Sequence, residues 1–472
     1  MILAAVVRLR LLGVPLERDE GEFAYMGQLL LQGIPPYAEA YNMKMPGIYA
    51  AYALIMAAFG QTCAGIRLGL LFVHAATTAV LFLLAKRLLG TRAALVSVCS
   101  FVMVSLSQSV LGAFAQAEHF VILCSVAGLF LLIRSRGTLF AGALLLGTGF
   151  LMKQHGAAFI AMGAFILGRR LKEPRACAVF LCGVILPFAL TCLILALAGV
   201  FSRFWFWTFT YAYEYATATS LREALLTLAD RLPALVSTTW PWWVLAGFGA
   251  ASLLQDKKLR PAAPFLAAFL GFSVLSILPG FYFTRHYFLL LLPAAALLAG
   301  AGFVSRPALA IALLLLASAR FLWAERDYLF RWDPATVSRM TYGENPFPET
   351  VAVAKYIEAN TSPRDCVAVI GSEPEIYFYS KRRSCTGYIY AYPLMESHPY
   401  ALQMQKDMIR EIEARAPKIL VFVAVPNSWA RTERSETLLL RWLEDYEKGY
   451  EQVGLVKMAP PLWISILKRK AP

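Results

Sequence analysis

The chain has 472 residues, 59% of them hydrophobic and only 16% charged, with a formal net charge of +14. A mean hydropathy of +0.58 excludes an ordinary water-soluble globule, in which about a quarter of residues are charged, and makes the bilayer the solvent for most of the apolar surface. The basic excess is not a nucleic-acid footprint, because Lys and Arg fall in small clusters between apolar runs, where they set membrane topology.

In chain order, apolar segments run at about 2–16, 66–85, 93–111, 118–133, 138–152, 156–168, 176–198, 234–254, 262–279, 287–303 and 307–323. Several are shorter than the roughly 20 residues of a straight span. The first is short, carries Arg8 and Arg10, and meets a charged loop without the small-residue cleavage site of a signal peptide. One set of linkers is rich in cations: Lys86, Arg87 and Arg92; Arg134 and Arg136; Arg169, Arg170, Lys172 and Arg175; Lys257, Lys258 and Arg260; and Arg306. The opposite set, including 17–65 and 199–233, is sparse in them. This bias predicts a cytoplasmic N-terminus, an outer first loop and an outer C-terminal region.

The chain is expected to divide into a polytopic α-helical membrane bundle, residues 1–323, and a water-exposed α/β domain, residues 324–472. Strands are expected at Cys366–Ile370, Thr386–Tyr390, Ile419–Val425 and Trp463–Leu467, and helices at Glu349–Asn360, Met395–Ala414 and Ser435–Glu447. Most cysteines lie in apolar runs as small hydrophobes; Cys366 and Cys385, outside the bilayer, are candidates to pair. The 199–233 stretch is crowded with aromatics, from Phe201 to Tyr215, and the next segment opens near Trp240, Trp242 and Trp243. An aromatic belt at headgroup level explains that crowding; an interfacial amphipathic segment guiding a lipid substrate is the functional alternative.

Chemistry concentrates in the first outer loop, 17–65. It begins Arg18-Asp19-Glu20-Gly21-Glu22-Phe23-Ala24-Tyr25 and runs through Gly33-Ile34-Pro35-Pro36-Tyr37 to Lys44-Met45-Pro46-Gly47. Three carboxylates beside a membrane helix suit a functional site, and a solvated acidic cap at a helix N-terminus explains them as well. Farther along, Glu118 opens the fourth segment, Lys153 and His155 follow the fifth, and Arg285-His286-Tyr287 precedes Leu292-Pro293. Lys153 and Arg285 also suit snorkelling side chains, His155 and His286 local hydrogen-bond partners, and Glu118 an acid that compensates the dipole near a helix start. Arg382 and Arg383 read as a solvated face, with contact to an anionic acceptor as the functional alternative.

The Asp-Glu pair after the first helix, the Gly-x-Pro-x-Tyr-like turn and the Lys-x-Pro step resemble the first loop of the protein O-mannosyltransferase family. That family includes the bacterial lipid A aminoarabinose transferase and belongs to the membrane C-type glycosyltransferases. Arg67-Leu68, Lys86-Arg87-Leu88-Leu89-Gly90, Glu118, Lys153 and Arg285-His286-Tyr287 extend the resemblance over about residues 10–305. It implies transfer of a hexosyl or pentosyl group from a polyprenyl-phosphate sugar to a lipid, glycan or protein hydroxyl, at the outer face of the bacterial cytoplasmic (inner) membrane. Asp19 would be the general base with Glu20 beside it. Lys44, Lys153 and Arg285 would hold the leaving phosphate, and Glu22, Tyr25, Glu118, His155, His286 and Tyr287 would support the site. Where the aminoarabinose branch has Glu-Lys-Pro-Pro, this chain has Met43-Lys44-Met45-Pro46. That Glu, a metal ligand in the family, is therefore missing; a divalent metal stays open as a cofactor, but no ligand set for it is legible. A transporter or flippase of a lipid-linked sugar is the competing class; it places charges in mid-span and repeats its helices, whereas these charges cluster at helix ends. A ligand-binding sensor would leave the Asp19–Glu20 segment without purpose.

Overall fold

A computed structural model describes residues 2–168 and 172–470; the predicted cytoplasmic cations Arg169 and Arg170 lie outside the described residues. Each of the eleven apolar segments contains a helix. In order these are α1 (Ile2–Arg10), then, after two helices described below, α4 (Cys63–Leu89), α5 (Thr91–Val104), α6 (Ala117–Arg134), α7 (Leu139–Met152), α8 (Ala157–Leu167) and α9 (Pro174–Leu197), and later α13 (Trp240–Gln255), α14 (Ala263–Ile277), α15 (Leu292–Ser305) and α16 (Pro307–Ala324). Among the described residues five helical stretches are long and apolar enough to cross a bilayer: Cys63–Leu89, Ala117–Arg134, Pro174–Leu197, Arg285–Ser305 and Pro307–Ala324. α9 and α16 leave Leu190, Leu193, Ile194, Leu197, Leu315 and Leu316 exposed. A wall of that kind is untenable in water and natural against lipid. The chain is a membrane protein.

The first segment is helical only to Arg10, because Gly13 and Pro15 follow and the residue before a proline is pushed out of the helical region. Residues 17–65, expected as a loop, instead form two helices, α2 (Arg18–Leu31) and α3 (Pro46–Phe59). Glu17 caps α2 by accepting the Glu20 N–H, while the Glu20 side chain reaches back to the Glu17 N–H, and Pro46 opens α3. The 199–233 stretch is helical too: α10 (Phe201–Trp205), a π-turn at Phe206–Tyr211, α11 (Ala212–Thr217) and α12 (Leu221–Val236). Its aromatics are not a simple belt. Trp205 and Tyr213 face outward, but Phe204, Trp207 and Tyr211 are buried. Trp207 stacks on Tyr41, and the Tyr211 hydroxyl donates to Glu396 at 2.6 Å.

The remaining helices are α17 (Pro334–Tyr342), α18 (Phe347–Asn360), α19 (Glu375–Ser380), α20 (Tyr392–Met395), α21 (Ala401–Arg415) and α22 (Leu438–Tyr446). They surround one sheet of β1 (Cys366–Ile370), β2 (Arg383–Ser384), β3 (Ile419–Ala424), β4 (Tyr450–Lys457) and β5 (Trp463–Arg469), in the order β2-β1-β3-β5-β4. β1 is parallel to β2 and β3, and β5 is antiparallel to β3 and β4. Residues 386–390, expected as a strand, are not one. Thr386 and Gly387 donate to the Glu411 carboxylate and Tyr388 bridges to Tyr41, so this β-prone run ties the sheet to the segment before α3. Cys366 and Cys385 are joined in a disulfide, Cα–Cα 5.1 Å.

α2 and α3 share a continuous buried core with the sheet: Phe23, Tyr25, Tyr49 and Tyr52 pack in one cluster with Ile370, Ile376 and Tyr377. Gly21 permits this. A Cβ there would lie 2.8 Å from the Glu375 main-chain nitrogen, so only glycine lets α2 approach α19 this closely.

Candidate active site

Asp19 lies in the first turn of α2, where the helix dipole favours a carboxylate. Lys44 lies just before α3, on a turn fixed by three contacts. Tyr37 Oη donates to the Lys44 carbonyl at 2.7 Å, Asn42 Oδ1 accepts the Met43 N–H at 2.6 Å, and Gln154 Nε2 donates to the Met43 carbonyl at 3.0 Å. The result is an ion pair, Lys44 Nζ to Asp19 Oδ2, of 3.1 Å, with both side chains partly exposed. Burial alone would raise the Asp19 carboxyl, but Lys44, then His286 and Lys153, outweigh it and hold the group at about 2. Burial would likewise lower the Lys44 ammonium, yet Asp19 and Glu22 more than offset that and keep it charged.

A second cation reaches the same place from another part of the chain. Lys153 follows α7 and is bonded to the fully buried Glu118 of α6, Nζ to Oε1 2.5 Å, with the Tyr287 ring 4.2 Å from the ammonium. Gly47 allows the meeting: a Cβ there would come within 2.4 Å of the Leu151 carbonyl oxygen, so glycine lets α3 start against the end of α7. Lys44, Lys153, His155 and Tyr287 line one cavity of about 140 Å³. His155 Nδ1 lies 2.6 Å from the Ser276 carbonyl oxygen and its ring packs edge-on against Tyr287, 4.5 Å between centroids. On the other side of the Asp19 segment, Glu17, Arg18, Arg285 and His286 line a larger cavity of about 860 Å³, walled also by Asp230, Arg231, Ala234 and Leu235 of α12. His286 Nε2 is 3.9 Å from Glu118 Oε1.

The other expected residues are placed differently. Glu20 is fully buried and points away from Lys44: Oε2 pairs with Arg67 at 2.8 Å and Oε1 accepts the Ala115 N–H at 2.7 Å. Glu22 is buried, accepting from Tyr49 Oη at 2.6 Å and Asn42 Nδ2 at 2.7 Å; burial, partly offset by Lys44, pushes its carboxyl up to about 7. Tyr25 is turned toward the sheet, where its hydroxyl accepts the Ser384 N–H at 2.8 Å. Arg285 directs its guanidinium to main-chain oxygens, those of Thr341 at 3.0 Å, Ser109 at 3.2 Å and Gln108. Arg382, expected on a solvated face, is buried, because it caps the end of α18 through the Glu358 and Thr361 carbonyls; Arg383 remains exposed.

Two contributors were overlooked in the sequence. Glu17 accepts from the Glu20 N–H at 3.0 Å and from Gln116 at 2.9 Å, and the Glu-x-x-Glu spacing of a capping box signalled it. Arg18 bonds Glu373 at 3.0 Å and Ser372 O at 2.5 Å, anchoring the start of α2 to the sheet; nothing in the local sequence signals that partner. Among the described residues no three His, Cys, Asp or Glu side chains gather in a set that could hold a metal ion, and the charge facing Asp19 is an ammonium.

No family model and no curated protein matches the sequence. Solved structures do match the fold. ArnT from Cupriavidus metallidurans bound to undecaprenyl phosphate superposes with a TM-score of 0.62 at 14% identity, over 98% of this chain and 96% of that one. The archaeal oligosaccharyltransferase AglB from Archaeoglobus fulgidus, in complex with an inhibitory peptide and a dolichol-phosphate, superposes with a TM-score of 0.53 at 13% identity, over 98% of this chain and 73% of that one. Nearly from end to end, this chain has the fold seen in ArnT and AglB.

Proposed function

We propose that the protein transfers a sugar from a polyprenyl-phosphate donor to an acceptor hydroxyl at the extracytoplasmic membrane surface, with Asp19 as the general base. The observation that carries this reading is the Asp19–Lys44 pair at 3.1 Å: Lys44 lines a small cavity together with Lys153, and Glu17 and Arg18, the two residues before Asp19, line a larger one. The donor phosphate enters the small cavity against Lys44 and Lys153. The acceptor approaches through the larger one. Both solved relatives carry a polyprenyl-type phosphate, undecaprenyl phosphate in ArnT and dolichol-phosphate in AglB, which supports a lipid-borne donor here. The charge bias of the linkers and the Cys366–Cys385 disulfide support the extracytoplasmic side, where thiols are oxidised.

The acceptor oxygen attacks the anomeric carbon as its proton passes to the Asp19 carboxylate. The bond from that carbon to the phosphate oxygen breaks, and its electron pair leaves with the phosphate. The lipid phosphate thereby gains a negative charge, which fixed ammonium groups stabilise at the moment it develops. A carboxyl held at about 2 is fully ionised but weakly basic. Donor binding corrects this: a phosphate beside Lys44 competes for the ammonium, and Asp19 loses the counter-charge that holds it down. Glu20, Glu118 and His155 act as positioning residues, since each is bonded to protein groups that fix α2, Lys153 or Tyr287. Arg285 positions the wall of the larger cavity.

The test is to incubate the protein in lipid nanodiscs with defined polyprenyl-phosphate sugars and follow release of the lipid phosphate. Release with at least one donor is expected; none with any donor from folded protein refutes the reading, and movement of intact donor across the bilayer in its place supports a flippase.

A further inference from the structure

The C-terminal half of α2 and the β2 edge of the sheet enclose a second cleft, of about 450 Å³, lined among others by Gln28, Gln32, Arg364, Lys381, Arg382 and Arg383. Asp19 lies at the opposite end of the same helix. At 1.5 Å per residue, Gln28 and Gln32 are about 13 and 20 Å farther along its axis, so the cleft is separate from the transfer site.

Its charge is strongly one-sided. Lys381 meets Glu358 at 2.9 Å and Arg383 meets Glu39 at 3.5 Å, both in exposed pairs that hold their cations weakly. Arg364 is exposed and has no ion pair or side-chain hydrogen bond among the described residues. Arg382 is only 6% exposed, and its donors reach the carbonyls of Glu358 at 3.0 Å, Thr361 at 2.8 Å and Ser380 at 3.1 Å and the Thr361 hydroxyl at 2.8 Å. No carboxylate lies within ion-pair distance of it among the described residues. The carbonyl dipoles at the end of α18 offset part of that buried charge, and the remainder adds to the positive potential of the concave surface.

The frame is also rigid. The Cys366–Cys385 bridge fixes the chain two residues beyond Arg383, and the Ser384 N–H is bonded to Tyr25 Oη of α2 at 2.8 Å. Gln32 accepts from Arg383 at 3.2 Å through its carbonyl oxygen, which leaves its amide N–H groups to donate. Gln28 donates to Gln61, just before the membrane helix α4, so the cleft opens close to the start of a candidate span. Weakly paired cations on a rigid frame, with amide donors in a concave site of this size, suit an oxyanion of sugar-phosphate dimensions.

We propose that this cleft is a second anion-binding site, specific for a phosphate group borne by a sugar or by a lipid headgroup. The test uses protein in phosphatidylcholine nanodiscs, first with added glucose 1-phosphate and then with phosphatidylglycerol built into the bilayer, reading hydrogen exchange over 25–33 and 361–385. Protection of both segments is expected in at least one arm: by glucose 1-phosphate for a sugar-borne phosphate, by phosphatidylglycerol for a headgroup. The exposed triple substitution Arg364→Ala, Lys381→Ala and Arg383→Ala should weaken binding about tenfold or more without changing lipid-phosphate release. Arg364→Glu alone, which breaks no contact, should act in the same direction. Absence of protection in both arms, or protection unaffected by either variant, overturns the proposal.

Discussion

Lys44 holds its ammonium 3.1 Å from the Asp19 carboxylate and also lines the cavity that contains Lys153. One side chain is thus the counter-ion of the proposed base and lies where the proposed function puts the leaving phosphate. Lys44→Met should lower turnover about 100- to 1000-fold, the effect of removing one fixed donor from a developing negative charge. Lys44→Arg should retain part of it. Steady-state release of lipid phosphate measures both.

Lys153 and Glu118 form a buried pair. Lys153→Met alone leaves a carboxylate without its partner and should destabilise the protein by about 3–5 kcal/mol. The double variant Lys153→Met/Glu118→Gln should regain most of that stability but not the activity. Thermal unfolding in nanodiscs, set beside turnover, separates the structural part of Lys153 from the catalytic part.

Glu20 stands beside the proposed base in sequence, yet it serves Arg67 and the Ala115 N–H. Glu20→Ala should therefore act on folding, costing about 3–5 kcal/mol by stranding the Arg67 guanidinium. Its thermal midpoint should drop, and turnover per folded molecule should fall far less than in Asp19→Asn, because Glu20 only positions α2.

The contribution of Glu17 and Glu22 to stability should fall as pH rises from about 4.5 toward 8. Burial, then Asp19 and Glu20, raise Glu17 to about 8, and burial raises Glu22 to about 7. Groups raised above their unfolded values bind protons more tightly when folded, so their stabilising contribution is complete at low pH and is lost as pH passes through those folded values. Asp19, held at about 2, loses its own contribution only in stronger acid. Melting curves at pH 6 and 8.5 should show the lower midpoint at pH 8.5, and Glu17→Gln should flatten the difference.

The protein has 8 cysteines, of which six are free and two are bridged. Thiol titration after denaturation without reductant should count six, and eight with it. Replacing Cys366 and Cys385 by Ser should cost about 3 kcal/mol, as for other loops of this length.

Much of this was legible because apolar runs dictate helices in a bilayer: the eleven segments all contain one. Asp19, Lys44, Lys153 and Tyr287 were identifiable because charge and aromatic residues at helix ends are conspicuous in an apolar sequence. Their contacts were not, since Lys153 is far from Asp19 in the chain and only the packing of α3 against α7 unites them. β4 escaped notice because half of its residues are exposed and Glu451 and Gln452 break its apolar pattern. Thr386–Tyr390 misled for the opposite reason: β-prone residues there serve Glu411 and Tyr41 rather than a strand partner. Arg382 read as surface because its carbonyl partners come from the end of another helix.

The most direct measurement compares Asp19→Asn with the unaltered protein in nanodiscs, following sugar transfer, binding of the lipid-phosphate donor and thermal unfolding together. The account predicts transfer reduced by at least about 100-fold with donor binding and folding intact. Transfer at an undiminished rate in the Asn variant would contradict it.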